Sequence, residues 1–161
     1  PRPASHRPTM AELPDLAVEA CMTTRIVSVD MDDTLGAVRE IFEHVRFRHL
    51  LVIERRRLVG VVSDTDFLEA TSPNIGRAAE TTRDRATLNK RVHQIMTRHP
   101  ETIRRSASIA EAIRRFDATG VSFLPVLDDD GAVAGVLSWR DIIRALARGA
   151  EQDVAGDEPH A

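Results

Sequence analysis

The sequence has one cysteine and no long run of apolar residues. A lone cysteine, Cys21, cannot form a disulfide within the chain, which fits a protein of the reducing cytoplasm. The longest apolar stretches are only four to five residues, far short of the ~20 that a membrane-spanning helix needs. The segment from Pro1 to Pro8 also lacks the apolar core of a secretory signal. We therefore predict a cytoplasmic protein with no membrane partner.

A surplus of positive charge is also lacking. The chain has 22 basic and 25 acidic residues. Four of the acidic residues lie after Gly149, where there is no lysine or arginine, so the rest of the chain carries 22 basic against 21 acidic residues, a net charge of +1. Proteins that bind nucleic acid usually present a strongly basic surface. The balance of charge therefore predicts no nucleic-acid partner.

What the sequence does contain is an internal repeat. The segment Gly60–Asp66 recurs 75 residues later as Gly135–Asp141, and Leu50–Ile53 recurs 74 residues later as Leu124–Leu127. The one-residue difference falls in a turn, where length changes are tolerated. Each copy has about 55–60 residues, a size at which a hydrophobic core is marginal. We therefore expect the two copies to pack together, and any site built from repeated residues to occur twice.

Each copy shows the order β-α-β-β-α. In the second copy, Ser108 and Glu111 form a capping-box pattern before a helix, and Asp129-Asp130-Gly131 is typical of a hairpin turn. Thr34 precedes the matching helix of the first copy. The predicted fold class is α+β: two tandem repeats packed as a pseudo-two-fold pair, each with a small three-stranded mixed sheet flanked by helices.

The pattern along the chain predicts five segments. They are a flexible N-terminal segment (1–13), the first repeat (14–71), a linker with a helix over 78–89 (72–91), the second repeat (92–148) and an acidic flexible tail (149–161).

Catalytic and metal-binding patterns are not identifiable. No Ser-His-Asp, Cys-His or paired-carboxylate arrangement stands out, and the histidines form no ligand spacing with each other or with Cys21. Cys21 aligns with Ile95 in the other copy, which predicts a buried, unreactive side chain. We predict a protein that is not an enzyme, needs no cofactor and binds no metal.

The repeated Ser-x-x-Asp pattern has two interpretations. Ser63 with Asp66, and Ser138 with Asp141, fit a capping box at a strand-to-helix junction. The same residues also suit a ligand, because a carboxylate accepts two hydrogen bonds from vicinal ribose hydroxyls and a helix N-terminus attracts phosphate.

The ordered set of features resembles the cystathionine-β-synthase (CBS) domain, present as a tandem pair or Bateman module. The resemblance covers Val18 to Ala147. It rests on Met-Thr before the first strand of each copy, the helix that follows, Leu-Pro-Val-Leu-Asp beginning at Leu124, and Gly-x-x-Ser-x-x-Asp ending each copy.

The resemblance implies a regulatory module that binds an adenosine-containing ligand, such as AMP, ADP, ATP or S-adenosylmethionine, in clefts between the paired domains. It assigns the ribose to Asp66 and Asp141. The residues that it assigns to the phosphate side are Ser63, Ser138, Arg140, Arg48 and His49. Those on the base side are Thr24, Ile26, Val27, His99, Pro100 and Glu101.

The two copies differ in these polar positions. The basic residue before the aspartate is Arg140 in the second copy but Thr65 in the first. Conversely, Arg48 and His49 of the first copy correspond to Ser122 and Phe123. One occupied site and one empty or differently selective site would be compatible with this pattern.

We predict a stand-alone regulatory protein that senses an adenosine-type ligand and signals to an effector protein by a conformational shift. The alternative is an oligomerisation or protein-interaction module with vestigial pockets, which the loss of the basic residue at Thr65 favours. A homodimer is expected because the terminal helices of the repeats present apolar residues without enough partners. These residues are Phe67, Leu68, Ile142, Ile143 and Leu146.

Overall fold

A computed structural model describes residues 15–156, with side chains described as far as Arg148. It contains seven strands and five α-helices in the part of the chain that it describes. The strands are β1 Ser28–Val29, β2 His49–Glu54, β3 Arg57–Ser63, β4 Thr97–Arg98, β5 Ile103–Arg104, β6 Phe123–Leu127 and β7 Val133–Ser138. The α-helices are α1 Leu35–His44, α2 Asp64–Ala70, α3 Thr82–Ala86, α4 Ile109–Thr119 and α5 Trp139–Gly156.

The chain forms two compact units whose boundaries are staggered against the sequence repeats. One unit, called here the Ser63 unit, runs from Arg25 to Pro100. The other, the Ser138 unit, combines the described residues up to Thr24 with the described residues from Glu101 onward. The Met-Thr segment that precedes the first strand of each repeat therefore belongs to the unit of the other repeat.

The sheet of the Ser63 unit has the order β1-β2-β3-β4. Strands β1 and β2 are parallel, with Ser28 opposite Leu51, and β2 and β3 form the antiparallel hairpin that the sequence predicts, with His49 opposite Ser63. The fourth strand was not predicted. It forms because Thr97 pairs with Val61 at the free edge of β3, a contact between residues that no local pattern connects.

The sheet of the Ser138 unit has the order β5-β6-β7. Its parallel pair places Ile103 opposite Val126, and its antiparallel hairpin places Phe123 opposite Ser138. At the free edge of β7, Thr23 and Val136 form an isolated bridge with backbone hydrogen bonds of 2.8 and 2.9 Å. In both units a Met-Thr segment thus pairs with the free edge of the hairpin's second strand, β3 or β7. The mixed α+β fold predicted from the sequence is confirmed.

Each unit has its own hydrophobic core. In the Ser63 unit, fully buried residues such as Leu35, Leu50 and Val62 come from α1 and the hairpin. In the Ser138 unit, Ile109 and Leu137 play the same part and are joined by Val18 from the N-terminal segment. Strands β2, β3 and β6 each bury three consecutive residues, a pattern typical of strands that are covered on both faces. The buried residues of α1 and of α4 lie three positions apart, on one face of each helix.

Helix termini follow the local sequence with two differences. Ser108 caps α4 by accepting a hydrogen bond from the Glu111 N–H at 3.1 Å, but the Glu111 carboxylate pairs with Arg115 at 3.0 Å instead of completing the predicted box. The linker helix is shorter than the predicted 78–89. Helix α3 begins only after Thr81, whose capping box with Asp84 fixes its start.

The terminal predictions fall partly outside the described residues. The proposed flexible segment 1–13 lies wholly outside them, as do residues 157–161. Helix α5 continues to Gly156, so the first part of the predicted flexible tail is helical. No helix among the described residues is long and apolar enough to cross a membrane.

The predicted unpartnered apolar residues separate into two groups. The Phe67 ring packs on Phe42, with centroids 6.0 Å apart, and Ile142 and Leu146 belong to the core of the Ser138 unit. The prediction that these three side chains lack partners is wrong, because they face their own unit. Leu68 and Ile143 remain exposed, by 68% and 54%.

Candidate functional site

The Ser63 junction is the point where β3 ends at Ser63 and α2 begins at Asp64. The Ser63 hydroxyl oxygen accepts a hydrogen bond from the Asp66 N–H at 3.0 Å. In return, Asp66 Oδ2 accepts bonds from the Ser63 N–H at 2.8 Å and from the Ser63 hydroxyl at 2.7 Å. The capping interpretation of Ser-x-x-Asp is therefore realised, and the Asp66 Oδ1 atom takes part in none of these bonds.

Two predicted phosphate-side residues lie at this junction. His49 is the cross-strand neighbour of Ser63. The backbone carbonyl of Arg48 accepts a hydrogen bond from the Asp64 N–H at 2.9 Å, and the Arg48 Nε atom lies 3.7 Å from Asp64 Oδ2. The Arg48 side chain is 72% exposed, so its guanidinium remains accessible to solvent and to a ligand.

The electrostatics at His49 have opposing causes. Partial burial of the ring lowers the pKa of His49 below its ordinary 6.5, because a low-dielectric surrounding disfavours the charged imidazolium. Asp64 and Asp66 act in the opposite direction, and Arg48 adds a smaller lowering. Since the net shift is downward, His49 is mostly neutral near pH 7 and becomes cationic only on stronger acidification.

The Ser138 junction, where β7 ends at Ser138 and α5 begins at Trp139, repeats the capping geometry. The Ser138 hydroxyl oxygen accepts a hydrogen bond from the Asp141 N–H at 3.3 Å. Asp141 Oδ2 accepts bonds from the Ser138 N–H at 2.8 Å and from the Ser138 hydroxyl at 2.7 Å. The same four-residue pattern thus folds in the same way in both copies.

The second carboxylate oxygen distinguishes the two junctions. Asp141 Oδ1 accepts a hydrogen bond from the Thr23 hydroxyl at 3.5 Å and one from Arg144 Nη1 at 3.4 Å. Asp141 is only 8% exposed, whereas Asp66 is half-buried. The carboxylate at the Ser138 junction is therefore held by internal partners on both oxygens.

The contact of Thr23 with Asp141 was not predicted. Thr23 lies 118 positions before Asp141, and it reaches the aspartate because the Met-Thr segment crosses to the edge of β7. The only sequence signal was the recurrence of Met-Thr before both copies, which does not say which copy the segment contacts.

Arg140 lies on the first turn of α5, beside the Ser138 junction. It is exposed, and its guanidinium carbon lies 5.4 Å from the centroid of the Trp139 ring, within the range of a cation–π interaction. Trp139 is itself 47% exposed. Both side chains are therefore accessible to a ligand or to another protein.

The predicted base-side residues fall in both units. Ile26 and Val27 immediately precede β1. The Val27 carbonyl accepts a hydrogen bond from the Leu51 N–H at 3.1 Å, and Leu51 lies two residues after His49 on β2. Ile26 and Val27 therefore lie near the Ser63 junction. His99 lies next to β4 and faces the opposite end of β3. Pro100 belongs to the same unit, and Thr24 and Glu101 belong to the Ser138 unit.

The chemistry available at both junctions is recognition. Each offers a serine hydroxyl and a carboxylate, with a cationic or titratable side chain beside them. No group of three or more His, Cys, Asp or Glu side chains within residues 15–148 is arranged to hold a metal ion. Cys21 is half-buried, and burial raises the pKa of its thiol above 9.0, which makes it a poor nucleophile at neutral pH.

Comparison with protein families gives a match to the CBS domain at two positions, residues 18–72 and 92–148. The two matched segments together cover more than half of the chain.

Individual proteins agree with this assignment. A CBS domain-containing protein of Dictyostelium discoideum is 28% identical over 133 residues, which are 81% of this chain and 91% of that protein. The L-aspartate semialdehyde sulfurtransferase of Methanosarcina acetivorans is 29% identical over 133 residues, but only 24% of its length is matched. The crystal structure of CBSX2 from Arabidopsis thaliana in complex with AMP is 29% identical, with a TM-score of 0.68 over 82% of this chain and 96% of that one.

The curated relatives differ in length. This chain spans 43%, 91%, 46% and 24% of the first four of them. The matched segment is therefore nearly the whole of one of these relatives and less than half of each of the other three.

Proposed function

The chain belongs to the CBS domain family, as a tandem pair, and we propose that it is a non-catalytic regulatory protein that senses an adenosine-containing ligand. The observation that carries the proposal is the duplicated junction, where a carboxylate and a serine hydroxyl are fixed together at the end of a strand. The similarity to CBSX2, whose crystal structure contains AMP, supports an adenosine nucleotide as the ligand. ADP, ATP and S-adenosylmethionine share the adenosine group and are the other candidates.

In this proposal, Asp66 and Asp141 accept hydrogen bonds from ribose hydroxyls, since a carboxylate can bind both hydroxyls of a vicinal diol. Ser63 and Ser138 contact the phosphate side. Arg140 supplies positive charge at the Ser138 junction, and Arg48 with His49 supplies it at the Ser63 junction. The base-side contacts come from the backbone and apolar atoms next to β1 and β5.

Signalling follows from a shift in population. A ligand that binds one conformation better than another favours that conformation by its difference in affinity. An effector protein that binds the favoured conformation then detects the ligand.

The protein is proposed to act as a cytoplasmic homodimer without a nucleic-acid or membrane partner, and the exposed Leu68 and Ile143 suit a dimer contact. Light scattering at tens of micromolar tests the dimer.

The sulfurtransferase relative does not alter the non-catalytic proposal. The matched part is 24% of that protein, so its activity is not carried over to this chain.

The second candidate function is an interaction or oligomerisation module with vestigial pockets. Two observations favour it: Thr65 stands where the other copy has Arg140, and the Asp141 carboxylate is already occupied by Thr23 and Arg144. A ribose would have to compete with these internal partners.

Calorimetric titration with AMP, ADP, ATP and S-adenosylmethionine separates the two candidates. If Asp66 and Asp141 bind ribose, Asp66→Ala and Asp141→Ala should each weaken binding at their own junction by roughly 10- to 150-fold, the equivalent of about 1.5–3 kcal/mol. Asp117→Ala, an exposed aspartate on α4, is the matched control and should leave affinity unchanged. Absence of binding by all four compounds would favour the interaction module.

A further inference from the structure

The Ser63 unit contains a cavity that shares only His99 with the residues assigned to the adenosine site. Its volume is about 270 Å³, and it is lined by Met31, Leu58, Val59, Arg98 and His99. Leu58 lies five residues before Ser63 on β3, which corresponds to roughly 16 Å along the strand. The cavity is therefore at the opposite end of the strand from the Ser63 junction.

The lining of the cavity combines an apolar floor with a cationic edge. Met31, Leu58 and Val59 are half-buried apolar side chains that pack against or adjoin the core of the unit. The Arg98 guanidinium donates a hydrogen bond from Nη2 to the His93 carbonyl oxygen at 3.2 Å. It takes part in none of the ion pairs found among the described side chains, so its charge is not neutralised there.

Two further groups stand at the same edge. His99 has a φ angle of 52°, a left-handed conformation that is uncommon for residues other than glycine. His93 Nδ1 lies 3.1 Å from the Met31 carbonyl oxygen and 3.5 Å from Asp32 Oδ1. The negative group at this edge is Asp32, and it lies beside His93 rather than beside Arg98. The Arg98 guanidinium can therefore bind an anion.

The lining residues of the cavity are not repeated in the other copy, which distinguishes them from the Ser-x-x-Asp residues of the two junctions. The positions that correspond to Met31, Val59 and Arg98 in the other copy are Arg105, Ala134 and Thr24. Arg105 is also paired with Glu19 at 2.7 Å. The other copy therefore has an arginine in place of Met31 in the apolar floor and a threonine in place of Arg98.

We propose that this cavity binds a small amphipathic anion, with its apolar part against Met31, Leu58 and Val59 and its carboxylate on Arg98. Ligand pockets are usually about 300–1,000 Å³, so this volume suits a short-chain or small-ring carboxylate and is too small for a nucleotide. Guanidinium pairs with carboxylate in a planar, two-bonded geometry, which gives the anion an orientation as well as a charge partner.

Hexanoate is the probe, with hexanol as its uncharged counterpart, and the readout is the NMR signal of the methionine methyl groups in the full chain. The chain has four methionines, so Met31 can be assigned from a Met31→Leu variant. We expect hexanoate to shift the Met31 signal with saturation and to bind at least about tenfold more tightly than hexanol. Equal affinities, or a Met31 signal that does not respond to hexanoate, would overturn the proposal.

Variants at the cationic edge identify the anchor. Arg98→Gln should lower hexanoate affinity to that of hexanol, whereas Arg98→Lys should preserve most of the preference for hexanoate because it keeps the charge. Arg77→Gln, which removes an exposed arginine elsewhere in the same unit, should have no effect. The proposal fails if the Arg77 and Arg98 variants behave alike.

A competition experiment separates this cavity from the adenosine site. AMP should leave the hexanoate-induced shift of Met31 unchanged, and displacement of hexanoate by AMP would place the cavity within the nucleotide site and overturn the proposal. If AMP binds while hexanoate does not, only the cavity proposal fails, and the proposed regulatory function stands.

Discussion

The Ser63 and Ser138 junctions share their capping geometry and differ in how the aspartate is held. At the Ser63 junction, Asp66 is half-buried and bonds through one carboxylate oxygen. At the Ser138 junction, Asp141 is 8% exposed and bonds through both oxygens, with Thr23 and Arg144 as the additional partners. The shared Ser-x-x-Asp pattern therefore occurs in one junction that is open and in one whose second carboxylate oxygen is held by Thr23 and Arg144.

The difference shows that duplication preserves the scaffold more faithfully than the site. A capping box is encoded by four consecutive residues, so it survives wherever those residues survive. The second oxygen of the Asp141 carboxylate depends on Thr23, which is distant in sequence, and on Arg144, whose position in the other copy is occupied by Glu69. The Ser138 junction gains stability from its extra bonds, and the Ser63 junction has a carboxylate oxygen available for a ligand.

The largest effect is expected at the glycines that let the Met-Thr segments approach the hairpins. A Cβ atom on Gly135 would lie 2.6 Å from the Thr23 backbone oxygen, which cannot move without breaking its pairing with Val136. Gly135→Ala should therefore lower the free energy of unfolding by about 3 kcal/mol, at the upper end of overpacking costs. Denaturant unfolding measures this change.

The corresponding variant in the other copy is the control. A Cβ atom on Gly60 would lie 2.7 Å from the Met96 sulfur, the mobile end of a side chain, and 3.0 Å from the Thr97 backbone oxygen. Gly60→Ala should cost only about 1–2 kcal/mol. A larger loss for Gly60→Ala than for Gly135→Ala would contradict the explanation.

The next effect is on stability at the aspartates. Asp141→Ala removes bonds to Ser138, Thr23 and Arg144 and leaves the buried Ser138 N–H without its acceptor, so we expect a loss of about 2 kcal/mol. Asp66→Ala removes the same cap in a more exposed setting and should cost about 1 kcal/mol. Unfolding curves without ligand test the difference, and equal losses would show that the Thr23 and Arg144 contacts contribute nothing.

These two comparisons also show what the sequence could predict. The β-α-β-β-α order within each repeat, the hairpins and the serine caps follow from patterns within about ten residues, and these were predicted, whereas β4 was not. The turn at Asp129-Asp130-Gly131 could be predicted because it needs a residue with a positive φ angle, and glycine adopts such angles readily. In the structure Gly131 has a φ angle of 82°. It was harder to predict which apolar residues of the terminal helices are exposed. Helical spacing alone grouped Phe67 and Ile142 with the residues that lack partners, although both pack within their own unit.

Contacts made across the chain left almost no sequence signal. Strand β4, the Thr23–Asp141 hydrogen bond and the staggered unit boundaries all arise because each Met-Thr segment pairs with the edge of the hairpin in the other repeat. The hairpin turn at Arg55 and Arg56 was predicted, but its positive φ angles were not, because such angles are usually found at asparagine and glycine. Pairings of this kind depend on the assembled fold rather than on neighbouring residues.

A smaller effect is expected for the cationic side chains at the two junctions. If AMP binds at the Ser138 junction through Arg140, Arg140→Ala should weaken binding there by about tenfold, the loss of one charge-assisted hydrogen bond. Arg48→Ala should weaken binding at the Ser63 junction by less, because Arg48 is 72% exposed and already lies near Asp64. Calorimetry of each variant measures both changes. Unchanged affinity for Arg140→Ala would remove Arg140 from the site.

The smallest effect is a dependence on pH that only the Ser63 junction should show. Burial lowers the pKa of His49 in the folded protein below the 6.5 of the unfolded chain. Between these two pKa values the unfolded state binds more protons, so this residue makes stability fall as pH falls below about 6.5. Once protonated, the same side chain attracts phosphate, so AMP binding at this junction should strengthen over the same acidic range.

The variant His49→Phe tests this dependence, since phenylalanine is the residue at the matching position, Phe123, of the Ser138 unit. It should remove the contribution of His49 to the pH dependence of both melting temperature and AMP affinity, and so make the two junctions respond alike. Because the phosphate of AMP also titrates near pH 6, the relevant quantity is the difference between the parent protein and the variant at each pH from 5 to 8. If the two curves are parallel, His49 does not titrate at the ligand and the asymmetry between the junctions rests on Asp66 and Asp141 alone.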